Sequence, residues 1–533
     1  MIFLSFFYFG AIFMVKSNDS VPSLKKLLEI SLKRVSIKEI TDLFLSLPRK
    51  DLIRMVKDQE ESLKIYLCNL FERTSGIKRK TLKDVILILA PYFSIDTIIK
   101  LFDCVLHQED FHNSIEFLKA MLYSKSLKEL DEYIKKLKEN EEGRILLAKI
   151  LPALPAFFPR ERIKEIAEFL ATNLPKRAYK WYIRSIAEIA DFIGRDYTLR
   201  NLSRVLISDK KWIISYADVL LAITVGAYKL SLMHKDLREK IICLLKSILE
   251  EEKVQKMLLK GAAKTFDPLE AVAAFWVIKR IGEPEKYANY CISSILRAVK
   301  IHGDKVLVEA ADLLGHLAKD KNGLGLRILR RLAKSKNYKI RELAAIVAVK
   351  LVKEKPDYLE LLWFLCRDKR SSVRKIAASG VLDVLENLEG ETYKKSIIAL
   401  LASRRASAIR SALLSLLNRR GHVDADFVKD ILERVIADPR SAVQKSIIEV
   451  LNVYWTEIPV EELAKLLKKI LELSKNRKEI IDSAFILIES IIHELAHANR
   501  CDDLSILRKR LLSAREIPFS LKKRLVRSLE KKL

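Results

Sequence analysis

Apolar residues recur along almost the whole chain at intervals of three and four, the spacing that gathers them on one face of an α-helix. No convincing run of alternating apolar and polar residues marks a strand. Prolines punctuate the pattern rather than interrupt it. Pro22, Pro268, Pro284, Pro356, Pro439, Pro459 and Pro518 each stand near the start of an amphipathic run, where a missing N–H costs nothing. The expected fold class is therefore all-α.

Within the C-terminal half a shorter signature repeats. An aliphatic residue is followed, four and five places on, by two small residues: Leu269 with Ala273 and Ala274, Val306 with Ala310 and Ala311, Ile340 with Ala344 and Ala345, Val373 with Ala377 and Ala378. It degrades through Ile409 with Leu413 and Leu414 and Val443 with Ile447 and Ile448 to Ile480 with Ala484 and Phe485, at spacings of 37, 34, 33, 36, 34 and 37 residues. Another amphipathic helix precedes each instance, so each period reads as a helix–turn–helix. A single pair cannot bury its apolar stripe, and the pairs must stack.

This pattern resembles the HEAT-repeat family, most closely in KNYKIRELAA at 336–345 and KRSSVRKIAA at 369–378. The likeness covers about 255–500, with weaker echoes at Ile183 to Ala187 and Ile213 to Ala217. It implies a right-handed α-solenoid of stacked helix pairs with a period of about 33–37 residues. It also implies a structural role for the Arg after the aliphatic residue, which in HEAT proteins pairs with an acid of a neighbouring turn. Arg341, Arg374 and Arg410 are the arginines concerned, and Asp304, Asp368 and Asp438 the available acids. Before residue 160 helices are legible but no register is, and Pro152, Pro155 and Pro159 mark a joint. The expected organisation is residues 1–13 as a non-native upstream extension, 14–159 as irregular helical repeats, and 160–533 as the regular array with a basic cap. The extension, MIFLSFFYFGAIF, is apolar and uncharged, lacks the basic start of a signal peptide and is too short to span a membrane. Met14 is the expected true start.

Composition narrows the function. Glycine occurs only 14 times in 533 residues, and neither G-x-G-x-x-G nor G-x-x-x-x-G-K-[ST] is present, which removes the usual signs of a dinucleotide enzyme or a P-loop NTPase. The 97 Lys and Arg against 69 Asp and Glu leave a net charge of +28, a balance that attracts polyanions. A Lys- and Glu-rich, glutamine-poor surface is also thermophile-like. Residues 301–350 carry eleven basic and five acidic residues, and 501–533 ten and four, +6 each. The six cysteines, Cys68, Cys104, Cys243, Cys291, Cys366 and Cys501, form no C-x-x-C and read as buried free thiols of a reducing, cytoplasmic protein.

Three sets of residues carry candidate chemistry. His493-Glu494-Leu495-Ala496-His497 has the H-E-x-x-H spacing of a zinc peptidase, but a catalytic zinc wants a third protein ligand and no histidine follows. Within the HEAT resemblance, a di-iron hydroxylase needs several His-Glu pairs, and only His493-Glu494 is one. No metal, cofactor or small-molecule substrate is expected. The turns between paired helices are the second set: Lys334, Lys336 and Lys339; Lys369 and Arg370 beside Arg367; Arg404 and Arg405; Arg440; Lys475, Arg477 and Lys478. Equivalent turns of stacked pairs lie along one edge, where a row of cations can track phosphates. The tail residues Arg508, Lys509, Arg510, Lys522, Lys523 and Arg524 form the third set and extend that charge. Aromatics are not interleaved, which favours backbone contacts over base stacking. The expected function is a non-enzymatic scaffold that binds protein through its concave face. The alternative is sequence-independent binding of DNA or structured RNA along the basic edge, and a zinc peptidase stands as the outsider.

Overall fold

The computed structural model describes residues 49–74, 76–106, 110–208, 216–233, 235–319, 324–419, 421–474, 477–513, 522–523 and 526–527. The expectations about residues 1–13, Met14 and Ile213 lie outside them, as do Lys475 and Arg524. The described residues form helices and no strand. Among them no helix is long and apolar enough to cross a membrane. The chain divides at Leu313 into two compact units.

The first unit holds α1 (Arg49–Arg73), α2 (Gly76–Leu89), α3 (Ile95–Leu106), α4 (Phe111–Leu122), α5 (Leu127–Glu139), α6 (Glu141–Ile150), α7 (Arg160–Asn173), α8 (Tyr179–Glu188), α9 (Ala190–Ile193), α10 (Arg195–Ser208), α11 (Ala217–Met233), α12 (Lys235–Lys246), α13 (Glu252–Ala262), α14 (Pro268–Ile281) and α15 (Ala288–His302). Local sequence sets their starts. Ser126 and Glu129 close a capping box on α5, and Asp267 caps α14 one residue before Pro268. The helices α6, α8, α11 and α14 pack in succession, which buries Ile183, Ala187, Ala273 and Ala274 completely or nearly so. Helix α16 (Leu307–Ala318) spans the division between the units.

The second unit continues with α17 (Leu324–Ala333), α18 (Tyr338–Val352), α19 (Leu359–Leu365), α20 (Ser371–Leu385), α21 (Gly390–Ala402), α22 (Ala406–Asn418), α23 (Ala425–Val435), α24 (Ser441–Tyr454), α25 (Val460–Leu473), α26 (Lys478–His497) and α27 (Cys501–Leu512). Here α18, α20, α22, α24 and α26 stack one on the next. The repeated small residues explain the close approach: Ala344, Ala345, Ala377 and Ala378 are all essentially inaccessible. Gly380 extends the same logic, since a Cβ there would stand 2.5 Å from Val349 of the neighbouring helix. Buried tyrosines fasten the ends. Tyr358 donates to the Ala318 carbonyl and Tyr454 to that of Leu416.

One expectation is corrected. Cys68 and Cys104 are not free thiols but a disulfide that joins α1 to α3, with Cα atoms 5.7 Å apart. Their separation of 36 residues is one helix-pair period, so both face the seam between successive pairs. Cys243 and Cys501 are exposed rather than buried. Cys291 and Cys366 are buried as expected, and burial pushes both thiols up to about 12. Replacing Cys68 and Cys104 together by serine should lower the unfolding free energy by about 2 kcal/mol, the lower range for a loop of this length. Urea denaturation under non-reducing conditions measures it, with reduced wild type behaving like the variant.

Candidate functional site: an arginine-tied basic edge

The edge of the second unit is built from the turns that precede α18, α20, α22 and α24. Each turn has carbonyls that the helix does not use, and in the first two an arginine one turn into the next helix collects them. Arg341 donates through Nη1 to the carbonyls of Ser335 (2.8 Å) and Lys336 (3.2 Å). Its Nε and Nη2 reach forward to the two carboxylate oxygens of Asp368, at 2.6 and 2.9 Å. Arg374 repeats the arrangement one period on. Nη1 donates to the carbonyls of Asp368 (2.8 Å) and Lys369 (3.0 Å), and Nε reaches forward to that of Ser403 (2.8 Å). Burial pushes the Asp368 carboxyl up, but the Arg341 guanidinium and the Arg370 amide hold it below its ordinary range.

Arg374 thus meets a carbonyl where an acid was expected, and the ladder departs further at its third rung. Arg410 is exposed. The carbonyl at the corresponding place, that of Arg404, accepts instead from Arg440 Nη1 at 3.0 Å, while the same guanidinium grips Asp438 of its own turn. Gln444 then fills the position of the ladder arginine, donating to the carbonyls of Ile436 and Asp438. Asp438 therefore serves Arg440 rather than Arg410.

The candidate cations fall into two groups. Lys339 is engaged: it pairs with Glu342 at 2.9 Å and lies over the Tyr338 ring. Arg440 is engaged as just described. Lys334, Lys336, Lys369, Arg370 and Arg404 are exposed on successive turns, with Arg367 beside them, Arg405 half-buried, and Arg370 stacked at 4.9 Å over Tyr338. Further along, Arg477 is half-buried and Lys478 exposed; Lys509, Arg510 and Lys523 are exposed, and Arg508 and Lys522 half-buried.

Arg404 is set apart by its backbone. It has φ +56°, at the position just past the C-cap of α21 where glycine is the favoured residue. Holding an arginine there costs about 1 kcal/mol of left-handed strain. Arg404→Gly should raise the unfolding free energy by about 0.5–1 kcal/mol while removing one exposed cation from the edge, as thermal melts would show.

His493 and His497 are exposed on α26 with ring centroids 4.4 Å apart, and Glu494 is exposed between them. Among the described residues no group of three potential ligands surrounds them or gathers elsewhere.

The sequence did not point to the ionic cluster of the first unit. Arg184, 5% exposed, donates to Asp267 at 2.5 Å and Glu270 at 2.8 Å, across 83 and 86 residues. Burial raises the Glu270 carboxyl; it raises that of Asp267 too, but the Arg184 charge and hydrogen bond bring Asp267 below its ordinary value. Nearby, Glu188 bridges Lys229 and His112. Phe111 stacks on Trp181 at 6.4 Å.

In their pairing and their repeated buried small residues these helices resemble HEAT repeats. No family model matches the chain, and no curated protein is similar to it in sequence. Among solved structures, the chain is similar to a homology model of the full-length AP-3 complex in an intermediate open conformation, at 12% identity over 93% of this chain and 94% of that one, with a TM-score of 0.34. The karyopherin Kap121p bound to the SUMO protease Ulp1p matches at 13% identity over 96% of this chain and 55% of its own, with a TM-score of 0.27. The S. pombe condensin Cnd3–Cnd2 subcomplex matches at 11% identity over 93% and 86%, with a TM-score of 0.26.

Proposed function

We propose that the protein is a non-enzymatic scaffold that binds other proteins along its stacked helix pairs. The observation that supports this reading is the use made of its buried charge. Arg341 with Asp368, Arg184 with Asp267 and Glu270, and Lys149 with Asp103 each join one helix pair to another. The ionic chemistry thus serves the frame, and the surface of each pair is left for partners, as in repeat arrays generally. Exposed apolar side chains such as Phe364 and Ile486, 50% and 66% accessible, are available on that surface.

A second reading is supported by a separate observation, the row of exposed cations on turns that the arginine ladder holds at a fixed spacing. On this reading the partner is a nucleic-acid backbone, DNA or structured RNA, bound without sequence preference.

Native complexes isolated from the source cells, with and without nuclease treatment, distinguish the two. A stoichiometric protein partner that survives nuclease supports the scaffold. A partner lost with the nucleic acid favours the second reading. A chain that purifies alone under both conditions overturns the first.

A further inference from the structure

In the first unit, away from the arginine-tied edge, a cavity of about 500 Å³ opens between α2, the start of α4 and the turn after α15. That volume suits a small molecule rather than a peptide or a duplex. Among the described residues four cations line it, Arg79, Lys80, Lys83 and Lys305, against one carboxylate, that of Asp110. The three from α2 are spaced i, i+1 and i+4, which sets Arg79 and Lys80 each one turn from Lys83.

The cations are held in place from behind. Arg79 donates to the Thr74 carbonyl at 2.6 Å, which seats its guanidinium 5.1 Å from the Phe71 ring centroid. The Lys83 ammonium stands 5.1 Å from the Phe117 ring centroid. Asp110 is turned to other work. It caps α4, accepting from the Asn113 amide at 2.9 Å and side chain at 2.7 Å, and lies 3.9 Å from Lys305.

His302 leaves one ring nitrogen open. One ring nitrogen is occupied by the Thr265 backbone, and Nε2 is buried with no hydrogen-bond partner among the described residues. Burial lowers the pKa of His302, and a neutral ring that donates to the Thr265 backbone carbonyl presents a lone pair at Nε2, which a ligand hydroxyl or amino group in the cavity would satisfy. Large apolar side chains also reach the lining in the open. Phe266 is 76% exposed and Ile301 47%.

We propose that this cavity binds an organic polyphosphate of nucleotide size, its phosphates held by Arg79, Lys80, Lys83 and Lys305 and its apolar part laid against Phe266 and Ile301. Convergent cations fix the anion, as charge-assisted bonds to phosphate do. The ring and the aliphatic rim explain why inorganic phosphate alone would fill the site poorly.

Isothermal titration of the full chain with ATP in EDTA tests the assignment. One saturable site per chain is expected, with tripolyphosphate competing for it more weakly and adenosine alone failing to bind. Lys80→Glu combined with Lys305→Glu, both on exposed side chains, should weaken ATP at least about tenfold without a change in melting temperature. Lys369→Glu combined with Arg370→Glu, on the second unit, should leave ATP binding unchanged. Absence of ATP binding overturns the proposal. So does failure of tripolyphosphate to compete, or equal weakening by the two double variants, which would mark a diffuse response to net charge. None of these outcomes depends on whether the second unit binds a macromolecule.

Discussion

Raising the salt from 50 to 200 mM should weaken binding of the protein to duplex DNA by about a thousandfold, if five or six phosphates are contacted along the edge of the second unit. The slope follows from counterion release, roughly 0.9 in log K per contact for each unit of log salt on duplex DNA. The cations concerned are exposed, Arg405 alone being half-buried, so their contacts are made at the surface and remain open to screening. Replacing Lys336, Lys369, Arg370, Arg404 and Arg405 by Glu should abolish the gel shift at 50 mM salt with helicity unchanged. Arg341 and Arg374 stay in place in that variant, because both tie one turn to the next. A wild-type protein that shifts neither duplex DNA nor structured RNA at 50 mM salt removes the nucleic-acid reading and leaves protein binding alone.

The parts of the frame that the sequence made legible are those repeated at its own period. Ala344 with Ala345 and Ala377 with Ala378 lie where α18 and α20 meet, as the signature requires. Arg341 pairs with an acid of the next turn, as the HEAT resemblance assigns it, whereas Arg374 ties its turns together through backbone carbonyls. The third rung was not legible, because Gln444 stands at the ladder position of α24 and frees Arg440 to reach back to Arg404. A periodic pattern says which position bonds a turn, not which of two nearby arginines captures a given carbonyl.

Contacts between distant pairs were harder still. Arg184 meets Asp267 across 83 residues, and Asp110 stands near Lys305 across nearly 200, with nothing in the spacing to couple them. The cavity beside Asp110 belongs to this class. Its cations come from segments that read singly as ordinary basic helix surface. The disulfide is an intermediate case. Its 36-residue span matches the period, but no repeat register was visible around Cys68 to put the two thiols at equivalent positions.

Asp368→Asn should lower the unfolding free energy at neutral pH by about 3 kcal/mol, the range expected when one partner of a largely buried ion pair is removed. The side chains of Arg341 and Asp368 are only 14% and 7% exposed. The substitution is nearly isosteric and keeps one acceptor for the Arg370 amide. Its NH₂ group, however, faces the Arg341 guanidinium donor to donor, and leaves that charge uncompensated beside the turn. The pH dependence gives an independent check. Asp368 has its carboxyl pKa lowered in the folded protein, where Arg341 and the Arg370 amide outweigh burial. The stabilisation from the charged form is therefore fully present above the ordinary carboxylate pKa of 3.8 and is lost as pH falls through the lower folded value. Wild type and variant should accordingly differ by a constant amount in urea melts from pH 7 to pH 5, and converge below about pH 4. A difference that persisted undiminished in acid would mean that asparagine disturbs the packing of the turn rather than its charge, and that the ladder is not held by the ion pair.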